Sequence, residues 1–141
     1  MNGGMQREVK VFEMTVSERV LISVVDDDES VRAALKSLLD SVGFGTEVFA
    51  SAEAFLNSGF VTRTSCLILD VRMPGMGGLE LQRILNAADL NVPILFISAH
   101  DDGDARAKAL SAGAITFLQK PFSEDALLRA ISKALDTNQR T

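Results

Sequence analysis

The sequence predicts an α/β domain: a doubly wound, five-stranded parallel sheet in the order 2-1-3-4-5, flanked by five helices. Three observations lead there. Short continuous apolar runs, VLISVV at 20–25, CLIL at 66–69 and ILFI at 94–97, have the length of strands buried on both faces. Between them lie stretches with helical spacing, opened by cap residues such as Asp28, Ser51 and Ser123 and several times closed by glycine. Strand and helix alternate throughout, which requires parallel pairing through right-handed crossovers. The order 2-1-3-4-5 is common for such sheets and sets its switch point between strands one and three. It also puts the weakest strand, 46–49, at an edge.

The elements follow in order. Residues 1–17 carry Gly3-Gly4 and no clear period; Val9 and Val11 alternate with polar neighbours, so this extension reads as a short strand or as disorder. Met14 is a second candidate start. Strand one, 20–25, ends in Asp26-Asp27-Asp28. Asp28 caps a helix over 29–42, with Glu29 in the first turn and Val31, Ala34, Leu35, Leu38, Leu39 and Val42 on one face. Gly43 stops it. The edge strand 46–49 leads to a short helix capped by Ser51, and strand three runs into Asp70. A third helix spans 77–87 with Leu79, Leu81, Ile84 and Leu85 inward. Strand four ends at Ser98, a polar helix runs 101–112, and strand five, 115–119, ends at Lys120-Pro121. The last helix follows Ser123 to about 136, leaving a frayed tail. The domain itself is placed at 18–137 and the tail at 138–141.

With 141 residues there is room for one domain and its core. The net charge of −5 and scattered basic residues argue against direct nucleic-acid binding. No apolar run approaches the roughly 20 residues that span a bilayer, and the start has no secretory h-region, so no membrane role is expected and the cytoplasm is the expected location. Cys66 stands alone, which implies neither a disulfide framework nor a thiolate metal site.

Ligands in open α/β sheets gather at the carboxyl ends of strands. Here strand one delivers Asp26 and Asp27, strand three Asp70, strand four Ser98 and strand five Lys120. Two ionised carboxylates at ~4 Å repel by about 4 kcal/mol at an effective dielectric of ~20. A cation or protons must relieve that, and neutralising Asp26 or Asp27 should stabilise the metal-free fold. All-oxygen ligands open to water suit Mg²⁺, with Mn²⁺ as a substitute. One carboxylate can then act as nucleophile on a phosphoryl group, with the cation, Lys120 and Ser98 neutralising charge.

VVDDDESVR, LILDVRMPGMGGLEL, ILFISAH and FLQKPF resemble the four signature segments of response-regulator receiver domains in two-component signalling, over about residues 20–136. The local wording is similar to receivers of nitrogen-fixation-type transcription regulators. The resemblance implies a flavodoxin-like fold in which Asp70 is the phosphoacceptor. Asp26, Asp27 and Asp70 would hold Mg²⁺ together with the Arg72 backbone carbonyl. Ser98 and Lys120 would contact the phosphoryl group, and Ser98 and Phe117 would form a switch. Arg72 and His100 would tune phosphate lifetime; Ala33, Lys36 and Phe122 would dock a histidine kinase. Pro121 resembles the family's cis peptide. The output partner is unnamed by the sequence, and a homodimer formed on phosphorylation is an expected form. Such a chain is a phosphoacceptor with self-catalysed chemistry only, not an enzyme acting on other substrates.

Read from composition alone, His100 is an exposed loop residue and Phe117 a core residue. Two rivals come from other classes. Asp26-x-Asp28 after the first strand fits a haloacid-dehalogenase-type phosphatase, which needs a later acidic motif. A flavodoxin-like electron carrier needs a Ser/Thr/Gly-rich phosphate loop where DDDES stands. A third option keeps the receiver but makes it a phosphate sink or relay.

Overall fold

The computed structural model describes residues 19–139. Met14 and the alternating Val9 and Val11 lie outside the described residues. Five strands, β1 (Leu21–Val25), β2 (Gly45–Phe49), β3 (Cys66–Asp70), β4 (Ile94–Ser98) and β5 (Thr116–Gln119), form one parallel sheet in the order β2-β1-β3-β4-β5. Helices α1 (Glu29–Ser41), α2 (Ala52–Leu56), α3 (Gly78–Ala87), α4 (Gly103–Ser111) and α5 (Glu124–Gln139) connect and close it.

Side chains alternate across each strand, so every central strand feeds two cores. Leu67, Leu69 and Phe96 face one side, packed with Phe55, Leu81, Leu85, Ala105, Ala109 and Phe117 from α2, α3, α4 and β5. Cys66, Ile68, Leu95 and Ile97 face the other, with Leu35, Leu39, Leu127 and Ile131 from α1 and α5. Continuous apolar runs are what burial on both faces demands. The same burial pushes the Cys66 thiol up to about 12, so it stays protonated and inert.

Several expected boundaries and faces move. Val42 caps the end of α1 and is 48% exposed, and Ala34 is exposed too, so both leave the core face. Gly43 follows at φ +99°, the left-handed position that ends the helix. Helix α3 begins at Gly78, with Gly77 as its cap residue. Ile84 is exposed, because the inward stripe is Gly78, Leu81, Gln82 and Leu85, the i, i+3, i+4, i+7 positions of one face. Gln82 is buried there since its amide donates to the Ala109 carbonyl at 2.9 Å; Asn86 reaches the Ala112 carbonyl at 3.0 Å. Helix α4 starts at Gly103 rather than 101, because Asp102 caps it by accepting from the Ala105 amide. Its buried residues are Ala105 and Ala109. A short 3-10 turn, Val61–Arg63, precedes β3 without a sequence signal, and α5 continues to Gln139, beyond the expected end near 136.

Candidate functional site

The carboxyl edge of the sheet gathers the acids. Asp26 follows β1, its N–H donating to the Phe49 carbonyl at 3.1 Å, which extends the ladder and turns its side chain into the crevice beside β3. It is fully buried. Its Oδ1 accepts from the Asp28 amide at 2.9 Å, and Arg32 donates to its carbonyl at 2.8 Å. Asp70 closes β3 and is 6% exposed, while Asp27 opens the cluster to solvent. One carboxylate oxygen from each of the three lies within 4.8 Å of the others.

Lys120 enters from the end of β5, where its N–H donates to the Ser98 carbonyl at 2.6 Å and its bond to Pro121 is cis. The ammonium donates to Asp26 Oδ2 at 2.8 Å and stands 3.9 Å from Asp70 Oδ1. Burial raises the Asp70 carboxyl most, and the Asp26 charge raises it further; Lys120 pulls the other way without offsetting them, and Asp27 adds its own repulsion. The result is a carboxyl pushed up to about 7. An all-oxygen, electron-rich donor set with one open side fits a hard divalent cation.

The Asp28 carboxylate takes no part. It accepts from the Ser30 hydroxyl at 2.7 Å and the Ser30 amide at 2.9 Å, bonds that hold it below the usual carboxylate range and commit it to capping α1. The phosphatase reading needs that residue in the crevice.

A family described as the response regulator receiver domain matches residues 22–132. The chain belongs to that family. This receiver domain is 49% identical over 115 residues to the response regulator protein TodT of Pseudomonas putida, covering 82% of this chain and 51% of that protein. It is 41% identical over 114 residues to the transcriptional regulatory protein FixJ of Bradyrhizobium diazoefficiens, covering 81% and 56%. The chain thus spans about half the length of these curated relatives. Among solved structures it superposes on the response regulator StyR with a TM-score of 0.78 at 48% identity, covering 86% of this chain and 62% of that one. For FixJ-N the TM-score is 0.75 at 37% identity, covering 83% and 94%. Among the described residues no helix is long and apolar enough to cross a membrane.

The remaining residues of interest surround the receiver's acid pocket. Ser98 is buried, but its hydroxyl donates to the His100 carbonyl at 3.0 Å and accepts from the His100 amide at 3.1 Å, which turns it toward its own loop. His100 is exposed. Phe117 is already 4% exposed, stacked on Phe96 with centroids 6.2 Å apart. The Arg106 guanidinium lies 5.7 Å from its ring centre and donates to the Phe117 carbonyl at 3.3 Å. Arg72 extends over the surface and pairs with Asp102, tying the loop after β3 to the cap of α4. Phe122 is half-buried and lines an apolar groove of about 350 Å³ between α1 and α5, with Val31, Ala34, Leu38 and Pro121. Ala33 and Lys36 are exposed on α1 outside that lining, and Lys36 is engaged by Asp40 at 3.2 Å and the Thr46 carbonyl.

Two contributors escape sequence reading. A Cβ at Gly78 would come 2.3 Å from the Asp70 carbonyl oxygen, so only glycine lets α3 start against the end of β3. The carboxylate of Glu53 in α2 accepts from the Met76 amide at 3.2 Å. Neither has a local signature: one is a glycine among several, the other an acid in a helix's first turn.

Proposed function

We propose that Asp70 accepts a phosphoryl group from a phosphohistidine on a partner histidine kinase. The observation that carries this is the Lys120 ammonium, bonded to Asp26 and standing 3.9 Å from Asp70 in a pocket of three carboxylates. An Asp70 oxygen attacks phosphorus while the phosphorus–nitrogen bond to imidazole breaks and its electron pair returns to the ring. An acyl phosphate remains, and attack by water later releases inorganic phosphate. Mg²⁺, or Mn²⁺ in its place, held by Asp26, Asp27, Asp70 and the Arg72 carbonyl, would supply charge neutralisation on the phosphoryl oxygens. Lys120 stabilises the same charge. Arg72 and His100 flank the approach of water and set the lifetime of the phosphate. Phe122 and the groove between α1 and α5 receive the kinase, with Ala33 and Lys36 at the margin. The working unit begins near residue 18 and takes in α5 to Gln139, two residues past the expected boundary at 137.

Ser98 leaves the His100 backbone and donates to the phosphoryl dianion, which alters the α4–β5–α5 face and favours an output partner or a homodimer. Because the Phe117 ring is already inside, Ser98 and its loop carry this change, and the switch expected of Phe117 needs no inward move of the ring. That same burial favours one second reading, a phosphate sink or relay in which little moves at β5.

Acetyl phosphate with Mg²⁺ should add one phosphoryl group by mass. Asp70→Asn should abolish it. Labelling that survives in Asp70→Asn and disappears in Asp26→Asn would overturn the assignment.

A further inference from the structure

The loop that leaves the acid pocket, residues 71–77, is held at more than its ends. At its far end the Gly78 amide donates to the Val71 carbonyl at 2.9 Å, and Gly78 presses against the Asp70 carbonyl. Its middle is held from α2, an element that supplies nothing to the acid pocket. Glu53 Oε2 accepts from the Met76 amide at 3.2 Å. The same oxygen lies 2.9 Å from where a Cβ on Gly75 would stand, at a φ of +75°. A side chain at 75 would therefore both strain the backbone and push the carboxylate away.

Glu53 is itself on a fixed base. Ser51 accepts from the Ala54 amide at 3.0 Å and caps α2. Ala52 and Phe55 on either side of Glu53 are fully buried, and the Phe55 ring meets Phe49 of β2 edge to face at 5.4 Å. A short helix anchored in this way can hold its neighbour; the loop, with Pro74, Gly75 and Gly77, is otherwise held by Met73 and Met76 against the core and by Arg72 on Asp102.

We propose that Glu53 is a positioning residue for metal binding by the acceptor loop. By fixing Gly75 and Met76 it sets where the Arg72 carbonyl, three residues earlier, stands relative to the Asp70 carboxylate. This rests on the reading above that the Arg72 carbonyl is a ligand. The work is done by hydrogen-bond acceptance rather than charge. A glutamine at 53 keeps the acceptor oxygen, whereas an alanine removes it.

The test is calorimetric titration of Mg²⁺ into the wild type, Glu53→Gln and Glu53→Ala, with amide exchange at Met76 followed separately in EDTA. Glu53→Ala should weaken Mg²⁺ binding about threefold to tenfold, the worth of one such hydrogen bond, and speed Met76 exchange without metal. Glu53→Gln should restore most of both. Since Glu53 is exposed, melting temperatures should stay close to wild type. The proposal is overturned if Glu53→Ala binds Mg²⁺ as the wild type does. Equal changes in both variants would overturn it too, since that is a charge effect. Faster Met76 exchange with unchanged affinity would mean a tether without a role in metal binding, and also overturns it. A wild type that neither binds Mg²⁺ nor labels would instead bring down the function on which the proposal rests.

Discussion

Removing the Asp70 charge should make the metal-free protein more stable. Burial and the neighbouring acids push this carboxyl from 3.8 to about 7, so between those values the folded state holds a proton the unfolded chain has released. Stability from this group is complete below 3.8 and is lost as pH rises through 7. About three units at 1.36 kcal/mol each set a ceiling of roughly 4 kcal/mol. Asp70→Asn removes that penalty but deprives Lys120 of a partner at 3.9 Å, leaving about 2–4 kcal/mol, or roughly 5–15 °C in Tm. Thermal melts in EDTA at pH 5 and pH 8 check it. The gain should be larger at pH 8 by about 2–3 kcal/mol, and saturating Mg²⁺ should shrink it by stabilising the wild type. Asp26→Asn is the contrast: it removes a charge too, but it gives up the buried ion pair with Lys120 at 2.8 Å and should not stabilise, which overturns for Asp26 the gain expected from the sequence. A gain for Asp70→Asn that is absent at pH 8, or the same at both pH values, would refute the reasoning.

Labelling by acetyl phosphate should stop in excess EDTA and return with Mg²⁺ or Mn²⁺; equal labelling in EDTA would remove the metal from the proposal. Phe122→Ala should slow phosphoryl transfer from the kinase while acetyl-phosphate labelling continues at the wild-type rate, and an equal loss of both would point to a folding defect. Phosphorylation should change amide exchange across 99–113, and Ser98→Ala should reduce that change while Asp70 still labels. Identical exchange with and without phosphate would favour the sink or relay.

The sheet was legible because strands buried on both faces leave unbroken apolar runs, and because each run ends on a polar residue that has no place in a core. Those polar residues converge by topology, so the grouping of Asp26, Asp27, Asp70 and Lys120 is written in the chain itself. What the sequence could not supply was pairing and direction. Asp26 and Asp27 look equivalent in the chain, yet Asp26 is buried against a lysine 94 positions away and Asp27 is in solvent. Ser98 reads as a hydroxyl at the crevice, but backbone groups two residues on compete for it. Ile84 fits an apolar stripe that Gln82 occupies instead, because a carbonyl on α4 waits opposite. Each miss depends on a neighbour distant in sequence, which periodicity cannot report.

Helix α4 meets the rest of the molecule through methyl groups. Ala105 and Ala109 are its buried residues, and such small side chains raise no ridges that would lock into a neighbour's grooves. Its position is set by discrete polar stops: the Gln82 and Asn86 amides on its carbonyls, Arg106 reaching back to Phe117, and Arg72 on its cap. A smooth contact of this kind gives up few dispersion contacts when one surface glides over the other. The stops are four separate contacts rather than one interlocked surface. A shift of α4 along this contact would therefore be opposed chiefly by those four bonds. A leucine at 105 or 109 would wedge the two surfaces apart.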